Sequence, residues 1–144
     1  LSSPSPDIHP QLLQDCLYVG RFRLCHLLLM NDAHFPWFIL VPDRAGISEI
    51  YELDSNDQQQ LITESSILSR ILHTEFDADK INIGALGNIV PQLHIHHIAR
   101  YKDDAAWPGP VWGAVEATAY KDTERAQVID KLKHHLIDDF TFAV

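Results

Sequence analysis

The stretch Pro91-Gln92-Leu93-His94-Ile95-His96-His97-Ile98-Ala99-Arg100 carries three histidines within four residues, set among aliphatics. Imidazole is the side chain whose ordinary pKa lies closest to neutrality, so it serves as nucleophile, proton donor or metal ligand. In an extended chain, alternate side chains share a face, about 6.5–7 Å apart. Gln92, His94 and His96 then line one polar face, and Leu93, Ile95 and His97 the opposite, mostly apolar one. Two imidazoles side by side offer nucleophilic attack by one and hydrogen bonding by the other. His-x-His is also a common metal-ligand spacing, with His26, His34 or Asp32 available as further ligands. The bland alternative is a pair of structural histidines. His97, on the apolar side, and His26, inside an apolar run, are expected to be buried and satisfied rather than functional.

Such a strand needs a scaffold, and the composition supplies one. The 144 residues suffice for one domain with a real core, with 46% hydrophobic and 22% charged residues. A net charge of −9, with 11 basic residues and no basic run, argues against binding a nucleic-acid polymer. An anionic ligand must then be held by backbone N–H groups, imidazoles and hydroxyls. No apolar run approaches the roughly 20 residues of a membrane span. No basic segment followed by an apolar one opens the chain, so no secretory signal is visible. Cys16 and Cys25 lack metal-ligand spacing, and Cys25 reads as an inert core thiol. A cytoplasmic setting is expected.

Along the chain, the Ser/Pro-rich residues 1–7 read as loose. Ile8 to Asp15 reads as a short helix capped by Asp7. Leu17 to Gly20, Phe22 to Met30 and Trp37 to Val41 read as strands, the second apolar enough to be covered on both faces. Ser55-Asn56-Asp57-Gln58 is a capping-box pattern. Leu61, Ser65, Leu68, Leu72 and Phe76 follow on one helical face. Lys80 to Ala85 reads as a strand, Gly87-Asn88 as a turn, and Gln92 to Tyr101 as the histidine strand. Residues 106–113, AWPGPVWG, form a stiff loop that either closes over a ligand, packs on a second subunit or is pinned by its own Trp side chains. A last helix starts at Asp122 or Thr123 and runs to about Leu136, and Phe140 to Val144 is an apolar tail. The layout is α+β: one domain with its core at about 15–136, an antiparallel sheet of about five strands, one long helix and a C-terminal helix.

These elements in this order resemble the histidine triad (HIT) family, whose motif is His-φ-His-φ-His-φ-φ with φ apolar. The frame here is Gln92-Leu93-His94-Ile95-His96-His97-Ile98. Ile39-Leu40-Val41-Pro42 before the long helix is similar to the family's Leu-Val-Ile-Pro segment. Gly87-Asn88 stands where the family has Gly-Gln, with Asn88 four residues before Gln92. The resemblance covers roughly residues 15–101. Three departures mark a divergent, bacterial-type branch: Gln92 at the first triad position, His97 at an aliphatic one, and Trp37 or Phe38 where a histidine frequently stands.

The resemblance implies a HIT-like fold, a homodimer, and hydrolysis or transfer of nucleotides at the α-phosphate through a nucleotidyl-histidine. His94 takes the place of the nucleophile and His96 that of the phosphate or leaving-group partner. Gln92 and Asn88 would position phosphate, while Asn31 and Asp32 would meet ribose. The implied substrates are dinucleoside polyphosphates or nucleoside phosphoramidates, with no cofactor and no metal at the histidine. A nucleotide-binding or regulatory protein with little turnover is the second reading, motivated by Gln92, and a His-metal enzyme is the third. Arg100 is expected to pair with an acidic residue.

Overall fold

A computed structural model describes residues 7–136 and 138–143. In chain order the elements are α1 (Pro10–Asp15), β1 (Cys16–Arg21), β2 (Cys25–Met30) and β3 (Trp37–Pro42). After a 3-10 turn at Ile50–Glu52 come α2 (Ser55–Phe76), β4 (Lys80–Gly84), β5 (Ile95–Arg100), α3 (Asp122–Lys133) and β6 (Thr141–Phe142). The strands form one antiparallel sheet in the order β4-β5-β3-β2-β1-β6. The expectation of a loose N-terminus falls, for residues 1–6, outside the described residues.

Strands β2 and β3 are apolar apart from His26 because both faces are covered. On one face α2 packs Leu61, Leu68, Ile71, Leu72 and Phe76 against Leu27, Leu29, Phe38, Leu40 and Ile95. On the other, Ile8 and Leu12 at α1 join Leu28, Trp37, Ile39, Val41, Ile98 and Val111. The sheet is therefore a partition with an apolar layer on each side. Glu64 is buried on the α2 side and still satisfied. Its carboxylate accepts the Leu24 and Cys25 N–H groups at 2.9 Å each, and the Gln60 amide at 2.7 Å. That bonding explains a buried acid in an otherwise apolar helix face.

Several boundaries differ from the sequence expectation for local reasons. Asp54, not Ser55, caps α2 by accepting the Asp57 N–H at 2.8 Å, and Asp77, in the left-handed region at φ 54°, ends the helix. His9, not Asp7, caps α1, its Nδ1 accepting the Gln11 N–H at 3.0 Å. The histidine strand begins at Ile95 rather than Gln92, because the Leu93 N–H donates to the Ile47 carbonyl at 2.9 Å, outside the sheet ladder. The sheet has six strands instead of about five. The tail pairs through Thr141 and Phe142 with β1, where Gly20 makes room: a Cβ there would stand 2.3 Å from the Thr141 carbonyl.

At the far end of β5, Arg100 is held as expected by an acid. Its guanidinium forks onto Asp104 at 2.8 and 3.0 Å and also reaches Asn82 at 2.7 Å. Burial alone would raise the Asp104 pKa. Arg100 and the N–H groups of Tyr101, Ala106 and Trp107 together hold the carboxyl well below the usual range. The same carboxylate therefore ties the base of the Trp loop to β5. Replacing Asp104 with Ala leaves a guanidinium that is 1% exposed without its counter-charge. The expected loss is about 3–5 kcal/mol, read as a lower urea midpoint at unchanged slope; a loss under about 1 kcal/mol would show that the pair does not anchor the loop.

Candidate active site

His94 sits one residue before β5, on the turn that Gln92 begins. Its Nδ1 lies 2.7 Å from the Gln92 carbonyl oxygen. A carbonyl only accepts, so His94 Nδ1 carries the proton and Nε2 carries the lone pair. His96 is fixed the opposite way. The Trp37 indole, which only donates, gives its N–H to His96 Nδ1 at 2.9 Å. The neutral His96 ring therefore carries its proton on Nε2. The two rings are 5.0 Å apart at their centroids and meet edge to face. Among the described residues, the site thus holds one imidazole with an unengaged lone pair beside one with an unengaged N–H.

Register explains the arrangement. His96 pairs with Ile39 on one side and Gly84 on the other. The Trp112 indole lies over that rung, 5.3 Å from the His96 ring and 6.3 Å from Trp37, at nearly right angles to both. A Cβ on Gly84 would come within 3.2 Å of the Trp112 ring. Burial pushes the His96 pKa down to about 3, with the His94 and His97 imidazoles adding to the effect. His96 is therefore a neutral donor across the ordinary pH range. Among the described residues, the buried Trp112 Nε1–H has no hydrogen-bond partner.

His94 also lines a cavity of about 120 Å³ with Ser48, Glu49, Gly87 and Gln92. Gly87 lines it with φ +70°, and the neighbouring Asn88 is exposed. The Gln92 side chain points elsewhere. Its amide oxygen accepts the His9 N–H at 2.8 Å and its amide nitrogen donates to the Asp7 carbonyl at 2.7 Å. Gln92 thus offers the site its backbone carbonyl while its side chain straps the segment before α1.

The other expected residues divide. The Asn31 side-chain oxygen accepts the Tyr120 N–H at 2.9 Å. Asp32 is buried and takes the His34 ring at 2.7 Å and the Thr118 N–H at 3.2 Å. Both therefore dock the segment before α3 onto the end of β2, and β3 separates β2 from the histidine strand. His97 faces α2, as its place in the alternation requires. Its Nδ1 bonds the Ile95 carbonyl at 3.0 Å and its Nε2 meets the Ser65 hydroxyl at 2.7 Å. His26 bonds the Tyr18 hydroxyl at 2.7 Å. Among the described residues, no group of three or more His, Cys, Asp or Glu side chains is arranged to hold a metal ion. Sequence reading missed the strap from Gln92 to Asp7 and His9, since nothing local signals an amide contact spanning 85 residues. It also missed Ser48 and Glu49 at the cavity.

The model of the HIT domain matches residues 12–103. The chain belongs to the HIT family. A histidine triad protein from Marinobacter aquaeolei VT8 is 51% identical, with TM-score 0.87, over 90% of this chain and 94% of that one. One from Bradyrhizobium japonicum is 45% identical, with TM-score 0.88, over 90% and 97%. One from Sinorhizobium meliloti 1021 is 43% identical, with TM-score 0.87, over 90% and 96%. No curated protein matches the chain. In this HIT domain His94 and His96 set their imidazoles side by side, and the Gln92 carbonyl bonds His94.

The buried imidazoles carry a stability signature. Burial lowers His97 to about 4 and His96 to about 3, against an ordinary value of 6.5, and pushes His26 the same way. Between about pH 6.5 and pH 4 the unfolded chain binds more protons than the folded one. Stability is therefore whole above that window and falls as pH drops through it. Urea unfolding at pH 7 and pH 5 should show this loss, with a shallower pH slope in His97→Asn. An identical slope in the variant would mean that His97 is not held neutral.

Proposed function

We propose that this HIT protein is a nucleotide hydrolase or transferase acting at the α-phosphate of a dinucleoside polyphosphate or a nucleoside phosphoramidate. The observation that carries the reading is the pair of oppositely fixed tautomers. His94 Nε2 attacks phosphorus, and the positive charge that develops on its ring is shared by the Nδ1–H bond to the Gln92 carbonyl. His96 Nε2–H donates to a phosphoryl or leaving-group oxygen. The P–Nε2 bond forms as the bond to the leaving group breaks, and the leaving group takes the electron pair. Water then attacks the nucleotidyl-histidine, a proton is released, and His94 returns with its Nδ1 proton still in place.

Gln92 serves through its carbonyl. Asn88 and the backbone N–H groups of the Gly87 turn meet the non-bridging oxygens at the cavity rim. Asn31, through its amide nitrogen, and Asp32 remain the proposed ribose contacts, with the segment at Thr118–Tyr120 carried on them. The proposed assembly is a homodimer. Strand β4 ends the sheet, and Ile83, Leu86 and Ile89 on and after it are exposed. An unpaired edge with adjacent apolar side chains favours pairing with a second copy. Among the described residues no helix is long and apolar enough to cross a membrane. Two free, buried thiols at Cys16 and Cys25, both with raised pKa, fit the reducing cytoplasm that we propose.

A nucleotide-binding protein with little turnover is the second reading, and Gln92 favours it, since its side chain is engaged by Asp7 and His9 rather than by the site. The test is AMP release from diadenosine polyphosphates and adenosine 5′-phosphoramidate by wild type and His94→Ala. The hydrolase reading predicts release by wild type and a loss of about 10³-fold or more in the variant, with AMP binding retained. Binding of AMP without release from any substrate would establish the second reading instead.

A further inference from the structure

The Trp37 indole donates its N–H to His96 Nδ1 at 2.9 Å. An indole has one proton to give and no lone pair with which to take one, whereas an imidazole does both. His96 is enclosed by rings: Trp112 at 5.3 Å, Trp37 at 5.7 Å and His94 at 5.0 Å. Its neighbours across the sheet are Ile39 and Gly84, neither of which titrates. Among the described residues no carboxylate bonds or ion-pairs with His96, and the ring in contact that does titrate is His94. The lone pair on His96 Nδ1 is occupied by the Trp37 N–H, so a second proton has no place to arrive without breaking that bond.

We infer that Trp37 is a positioning residue that restricts this site to leaving groups departing as stable oxyanions, so that phosphoanhydrides and not phosphoramidates are its substrates. The inference rests on the proposed nucleotide reading. A phosphoanhydride breaks its P–O bond with both electrons going to a phosphate oxygen, already a stable anion. It needs only a hydrogen bond, which the neutral His96 Nε2–H gives without transferring its proton. A phosphoramidate breaks a P–N bond, and the amine must gain a proton as it leaves. A neutral His96 could supply that proton only by becoming an imidazolate, which makes it a very poor acid. Burial disfavours the imidazolium that would be a competent one.

The measurement is kcat/KM for AMP release from diadenosine tetraphosphate and from adenosine 5′-phosphoramidate, by wild type, Trp37→Phe and Trp37→His. Wild type should favour the anhydride by at least about tenfold. Trp37→Phe, which removes the donor, should lower anhydride kcat about tenfold with KM changed less. Trp37→His, which restores a donor able to pass on a proton, should recover the anhydride rate and raise the phosphoramidate-to-anhydride ratio several-fold. A purely structural role for Trp37 would lower both substrates together and leave that ratio fixed, which would overturn the inference. Equal or faster phosphoramidate cleavage by wild type would overturn it alone and leave the proposed hydrolase standing. No AMP release from either substrate, with AMP still bound, would overturn both.

Discussion

The Gln92 carbonyl accepts a hydrogen bond from His94 Nδ1–H, and the Trp37 indole N–H donates one to His96 Nδ1. Neither partner can reverse its role, because a carbonyl has no proton and an indole has no spare lone pair. Two chemically identical side chains on one sheet face are thereby made different, one presenting a lone pair and the other an N–H. Much of the structure serves that asymmetry. The bend that puts the Gln92 carbonyl beside His94 is held on one side by the Leu93 N–H on Ile47, and on the other by the Gln92 amide on Asp7 and His9. The indole is held by its place on β3, two residue pairs along from Ile39 and His96, between Phe35 and Trp112.

Rigidity around the pair comes from two sources. On the α2 side, His97 spends both ring nitrogens on Ile95 and Ser65, which locks β5 to the long helix directly behind the site. On the site side, the Arg100–Asp104 pair fixes the start of the loop that returns Trp112 over His96. A buried ion pair is costly to form and more costly to break, so its effect here is to specify one loop geometry. Preorganised donors of this kind stabilise developing charge because they need no rearrangement when it appears.

Much of this was legible in the sequence. Alternation separated His94 and His96 from His97, and a helical repeat identified the α2 face that buries His97. The apolar run of β2 announced a strand covered on both faces. Features set by distant partners were not legible. Asp54 outcompetes Ser55 as a cap by one residue, and either type suits the position. β6 is two residues long and exists because Gly20 admits the returning chain. The engagement of Asn31 and Asp32 by Thr118 and Tyr120 joins residues more than 80 apart, beyond the reach of any local pattern. The same holds for Gln92, whose amide holds the segment before α1 through Asp7 and His9.

The asymmetry lies in the protons on two rings, and ring-nitrogen NMR of the 15N-histidine-labelled protein at pH 7 reads them directly, with assignments from His94→Asn and His96→Asn. The asymmetry predicts a His94 protonated at Nδ1 beside a neutral His96 protonated at Nε2, and a loss of the His96 preference in Trp37→Phe. Two rings in the same tautomer, or a His96 charged at neutral pH, would contradict it.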